Sequence, residues 1–156
     1  MVKVNVIAVG KVKEKYFADG ISEYAKRLSR YCEFNIIEIA EENYKKVDDG
    51  LIDIIKEKEG ERILKATKGY LIVMDMNGEK MSSKRFAKLL GELPLTEGRI
   101  DFVIGGSYGV SDSVKKKANK LFSFSDMTFP HTLFRLMLTE QIYRAFSINE
   151  GSAYHK

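Results

Sequence analysis

The chain has 156 residues, 44% of them hydrophobic and 31% charged, with a formal net charge of +4, the profile of a globular protein long enough to bury one core. A lone cysteine, Cys32, excludes an internal disulfide scaffold, and one cysteine with two histidines cannot build a four-ligand structural zinc site. The longest apolar run, Tyr70 to Met74, is too short to cross a bilayer.

No Ser/Gly-rich or Pro-rich stretch offers a linker, so a single domain over residues 1–156 is expected. Lysines 3, 11, 13 and 15 surround a brief Val/Ile alternation without a secretory apolar core, which predicts a reducing, cytoplasmic setting. Charge is uneven. Residues 1–30 carry +4, residues 31–65 carry −4 and residues 66–156 carry +4. This permits an anionic partner on one face, although solvated helices produce the same pattern.

Val2, Val4, Val6 and Ala8 alternate up to Gly10 and predict an opening strand. Phe17, Ile21, Tyr24, Ala25 and Leu28 recur at helical spacing and predict a helix over 16–30. A strand follows over Phe34–Ile39, then a charged helix over 48–66 whose middle is weakened by Gly60. Tyr70–Met74 reads as a strand covered on both faces, ended by a turn at Asn77-Gly78. Ser82 or Ser83 caps a helix reaching Leu93. Ile100–Ile104 is a further buried strand, Asp112–Lys120 a short basic helix, and Leu121–Phe124 a brief strand. The last helix runs over 131–148, before a tail ending in Tyr154-His155-Lys156. Alternating strands and helices imply a mainly parallel α/β sheet with helices on both sides.

In such sheets ligands bind beyond the carboxyl ends of the strands. Three ends carry suitable residues: 74–78, Gly105-Gly106-Ser107-Tyr108-Gly109, and 124–129. The glycine cluster lacks Rossmann spacing and has no Gly-Lys-Ser/Thr, which argues against a dinucleotide or triphosphate site. It does read G-x-S-x-G, so a hydrolase using Ser107 with His131 or His155 is a competing reading. Residues 122–131 hold three phenylalanines, small hydroxyls and one acid, able to wrap a flat, partly polar ligand or simply to pack inward.

Taken in order, four motifs resemble one family. They are Val103-Ile104-Gly105-Gly106-x-x-Gly109, Phe122-Ser123-Phe124-Ser125-x-Met127-Thr128-Phe129-Pro130-His131, Glu140-Gln141-x-Tyr143-Arg144-Ala145-Phe146, and the terminal Tyr154-His155-Lys156. The family is that of the bacterial large-subunit rRNA pseudouridine N3-methyltransferases, of the SPOUT superfamily, and the likeness extends from Val6-Ile7-Ala8-Val9-Gly10-Lys11 to the last residue. The resemblance implies a C-terminal trefoil knot, a homodimer, no metal, and S-adenosylmethionine held by Met74, Gly105, Phe124, Ser125, Asp126, Met127, Thr128 and Phe129. At Asp126 a backbone contact is expected rather than a side-chain one.

Methyl transfer from a sulfonium depends mainly on in-line orientation, and the pseudouridine N3 proton must leave at or before attack. Arg144, Tyr154 and His155 are the candidate catalytic residues, since the resemblance places the tail near the cofactor; an imidazole suits a base near neutral pH. Alternatively, Tyr154 and His155 stack on or position the RNA. Lys11, Lys13, Lys15, Lys26, Arg27 and Arg30 are candidate phosphate contacts on rRNA within the ribosome. The rival readings are a SPOUT enzyme acting on tRNA and a non-catalytic RNA- or ribosome-binding factor.

Overall fold

The computed structural model describes residues 1–156. Its elements are β1 (Lys3–Val9), α1 (Lys15–Leu28), β2 (Glu33–Ile39), α2 (Asp49–Ala66), β3 (Tyr70–Lys80), α3 (Ser83–Glu92), β4 (Arg99–Ile104), α4 (Asp112–Lys117), β5 (Lys120–Ser123) and α5 (His131–Asn149). Three helix starts are fixed by local chemistry. Asp48, Ser82 and Ser111 each accept, through the side chain, the backbone N–H three residues on (Leu51, Arg85 and Val114), satisfying a donor the helix leaves unpaired.

The five strands form one parallel sheet in the order β2-β1-β4-β3-β5. Period-two alternation divides its side chains between two cores. Val4, Val6, Ile72, Ile100 and Phe102 pack beneath α1, α3 and α5 through Leu28, Phe86, Leu90, Leu138 and Ile142. Ile7, Val9, Val73 and Val103 face α2 and α4 through Ile63 and Val114. Crossovers toward the β2 edge use the first face and those toward the β5 edge use the second, so all four connections share one hand.

Two local expectations are corrected. Asn77-Gly78 does not end β3: Met74 and Glu79 both register with Phe122, so residues 75–78 swing out of the ladder and the strand resumes. Gly78 is required by proximity, because a Cβ there would lie 2.6 Å from the Leu121 carbonyl carbon and the Phe122 nitrogen. The basic helix stops at Lys117, three residues early, since β5 already begins at Lys120. Asn119 closes the junction, its side chain accepting the Leu71 N–H and its own N–H donating to the Leu71 carbonyl, each at 2.8 Å. Gly60 leaves α2 unbroken.

A buried polar knot locks the amino ends of the central strands. Asp101, fully buried on β4, accepts the Lys68 and Gly69 N–H groups at 2.8 Å, Arg99 Nε at 2.8 Å and Asn5 Nδ2 at 3.0 Å. Replacing it by alanine strands four donors away from water. Asp101→Ala should therefore cost about 3–5 kcal/mol in urea denaturation, the range for breaking a buried charged network. Cys32 is buried and unpaired, and burial pushes its thiol up to about 12. No helix is long and apolar enough to cross a membrane.

Candidate functional site

β4, β3 and β5 are neighbours, so the loops leaving their carboxyl ends converge on a cavity of about 450 Å³. The loop after β4 is a tight turn in which the Gly109 N–H donates to the Gly106 carbonyl at 3.0 Å, and Gly109 takes φ +87°, a conformation open to glycine. Gly105 is demanded by close approach: a Cβ there would lie 2.7 Å from Val110 Cγ2 and 2.8 Å from the Gly109 carbonyl carbon. The loop after β5 is held by side chains. Ser123 Oγ donates to the Ser125 carbonyl at 3.1 Å, and Ser125 Oγ accepts the Met127 N–H at 3.1 Å.

Met74, Gly105, Phe124, Ser125, Met127, Thr128 and Phe129 line this cavity. Asp126 does not; its exposed carboxylate pairs with Lys80 on the outside. No peptide group of residues 124–129 has a backbone partner, and only the Ser125 carbonyl and the Met127 N–H are taken up by side chains, which leaves the others available to a flat, polar ligand. Phe124 and Phe129 flank Phe134, with ring centroids 4.7 and 6.3 Å away, giving the cavity an apolar wall. This combination fits a nucleoside cofactor: apolar faces for a ring, free peptide groups for its edge, and no phosphate cradle.

Asp75, Met76 and Tyr108, from the strand ends that the sequence marked, also line the cavity, as do Lys56 and Lys115, which no motif singled out. Lys115 Nζ lies 3.4 Å from Asp75 Oδ1 across the gap between α4 and β3. Only the sheet order unites them. Glu59 was likewise missed as a supporting group. It is 4% exposed, its Oε2 accepts the Glu42 N–H at 3.0 Å, and its Oε1 stands 3.1 Å from where a Gly106 Cβ would be.

Burial, reinforced by Glu41 and Glu42 and opposed by the Glu42 N–H and Arg62, raises the Glu59 pKa above its ordinary 4.5. The folded chain thus holds this proton more tightly than the unfolded one, and stability falls as pH rises through that range. Glu59→Gln keeps the acceptor for Glu42 but cannot ionise. Chemical denaturation at acid and neutral pH should show the variant gaining on the parent as pH rises.

The hydrolase arrangement is not built. Ser107 is hydrogen-bonded to neither histidine: His131 Nδ1 is buried without a partner, and His155 Nδ1 lies 3.0 Å from Arg144 Nη1. Nor is the tail the loose end its composition suggests. Tyr154 packs edge-on against Tyr143 with ring centroids 4.8 Å apart, and its hydroxyl lies 3.1 Å from that of Tyr24. The Arg144 guanidinium stands 4.7 Å from the Tyr154 ring centroid and donates through Nε to Glu140 at 2.9 Å. Arg144, Tyr154 and His155 therefore form one cluster, and within a single chain none of them lines the cavity.

A parallel α/β sheet with a phenylalanine-walled cavity at the carboxyl ends of adjacent strands is the arrangement of a cofactor-binding α/β protein. The SPOUT methyltransferase family model matches residues 2–155, and the chain belongs to that family. It is 50% identical to proteins named ribosomal RNA large subunit methyltransferase H from Clostridium kluyveri and Latilactobacillus sakei, in each case over 98% of this chain and 99% of the relative. Among solved structures, a tRNA methyltransferase from Aquifex aeolicus matches with a TM-score of 0.51 at 16% identity, covering 92% of this chain and 69% of that one. A Legionella pneumophila protein solved with S-adenosylmethionine bound matches at 0.51 and 11% identity, covering 95% of this chain and 66% of that one. These structural likenesses show the fold.

Proposed function

We propose that the chain methylates N3 of a pseudouridine in large-subunit rRNA, on the assembled ribosome, with S-adenosylmethionine as donor. The reading is carried by the cavity: its peptide groups at 124–129 that lack backbone partners suit the cofactor, in a chain half identical along its length to rRNA methyltransferases. Met74, Gly105 and residues 124–129 hold the cofactor, with Asp126 contributing backbone only. The three convergent loops support the SPOUT trefoil knot as part of this reading, and a ribosomal substrate implies a cytoplasmic protein.

Held by Met74, Gly105 and the 124–129 loop, the cofactor would supply an electrophilic methyl on sulfur for the target N3, whose proton would leave to water. The chain's residues act on the charge this creates. Guanidinium only donates, so the Arg144 contact makes His155 Nδ1 the acceptor and places the proton of the neutral imidazole on Nε2. His155 then presents a donor, rather than the base expected from its residue type. Burial and the Tyr24 hydroxyl raise the Tyr154 pKa, keeping the phenol neutral. On this reading the Arg144 cation and the His155 Nε2–H donor, held by neutral Tyr154, stabilise the negative charge that spreads onto the uracil oxygens when N3 is deprotonated.

For this cluster to meet the cavity, a second copy is required, and α5 supplies a surface for it. Leu138 and Ile142 are buried inward, whereas Leu133, Phe134, Leu136, Met137, Tyr143 and Phe146 remain half-buried around the helix. Leu136 and Met137 line a further cavity of about 500 Å³ beside Tyr24 and Phe86. Radiolabelled methyl transfer to purified ribosomes but not to tRNA, by a protein sedimenting as a dimer at micromolar concentration, is the expected result. Labelled tRNA would overturn the substrate, and an active monomer would overturn the shared site.

A further inference from the structure

Eight large apolar side chains of this chain are exposed, and three of them, Met76, Tyr108 and Met127, ring the mouth of the same cavity at 50%, 41% and 72% exposure. They come from three separate loops, each fixed by its own local constraint. Met76 rides the excursion of β3 between Met74 and Glu79. Tyr108 occupies the apex of the Gly106–Gly109 turn. Met127 is held by its N–H bond to Ser125 Oγ. Apolar groups gathered and pre-set on one rim mark a surface that something covers.

We propose that this rim is the platform on which unstacked bases of the RNA substrate rest as the target base enters the cavity. The inference rests on the reading of the chain as an rRNA methyltransferase and adds the residues that grip the strand. Charge complementarity selects RNA over an apolar partner: Lys56 shares the cavity lining, and exposed Lys116 and Lys117 lie on α4 beside Lys115, which is itself paired with Asp75. A flat aromatic face with polarizable methionines beside it accepts any base by stacking, while lysines meet the flanking phosphates. The platform supplies affinity for an opened strand, and base identity is read deeper in the cavity.

Tyr108→Ala and the double variant Met76→Ala with Tyr108→Ala test this in the full-length protein. Steady-state methylation of ribosomes should show KM for ribosomes rising about tenfold for Tyr108→Ala, the effect of losing one stacked base, and further for the double variant. Calorimetric affinity for S-adenosylmethionine should stay within about twofold of the parent, and Tyr108→Phe should restore KM. An unchanged ribosome KM would overturn the proposal. So would a parallel loss of cofactor affinity, which would make Met76 and Tyr108 part of the cofactor site along with Met127, or dissociation to monomers, which would make the rim a contact between copies. A parent protein that binds the cofactor but labels no rRNA is a separate outcome and would overturn the functional reading itself.

Discussion

Deleting Tyr154, His155 and Lys156 is expected to abolish methyl transfer while leaving cofactor affinity intact. The deletion removes the Tyr154 contacts with Tyr143 and Tyr24, the Arg144 guanidinium packed on its ring and the Arg144–His155 hydrogen bond. Such partly exposed contacts are worth about 2–4 kcal/mol together, a shift of about 10 °C in melting temperature for a chain of this size. On the proposed reading catalysis loses far more, because charge stabilisation at a reacting base is worth about 100-fold or more per donor. Single variants refine the result. His155→Gln retains an N–H donor and should keep more activity than His155→Ala, an order that a general base at this position would not produce. Single-turnover rates on ribosomes, with thermal melts of the same samples, check both parts. A truncated protein with parental rates would show that the Arg144 cluster does not serve the reaction.

Gly105→Val carries the second large effect. The added side chain begins 2.7 Å from Val110 Cγ2 and 2.8 Å from the Gly109 carbonyl carbon, inside the loop that walls the cavity. Loop or strand must shift, at about 1–3 kcal/mol, and the displaced backbone no longer fits the cofactor. Calorimetry should show affinity for S-adenosylmethionine falling at least about tenfold, with cooperative melting preserved. Gly106→Ala should be milder, since its Cβ would meet Glu59 Oε1 and Val9 Cγ1 at 3.1 Å. Unchanged cofactor affinity in Gly105→Val would remove the β4 loop from the site.

The elements and their faces were legible in the chain. Alternation over Val2 to Ala8, the apolar run Ile100–Ile104 and the helical spacing of Phe17 to Leu28 are local patterns that burial enforces directly, and the observed elements follow them closely. The glycine cluster and the 122–131 motif likewise marked two walls of the cavity, because close approach and hydroxyl-held turns leave their signature in residue type. Strand order was different. Nothing local states that β4 lies between β1 and β3, or that β5 pairs beside β3, yet this order alone brings Met74, Gly105 and Phe124 together.

Asn77-Gly78 shows the limit sharply: turn composition was read correctly as a departure from strand geometry, but the backbone of Leu121 and Phe122 made it an excursion instead of an end. The same holds for the tail. Its aromatic, imidazole and cation were visible in sequence as chemistry. Only packing against Tyr24, Tyr143 and Arg144 decided that it is anchored, and that His155 Nδ1 faces Arg144. Residue type and period are properties of neighbours along the chain, so the sequence by itself determined the elements, their buried faces and the functional groups available. Which groups meet, and in what protonation, depends on partners tens of residues away, and that was decided only by the tertiary structure.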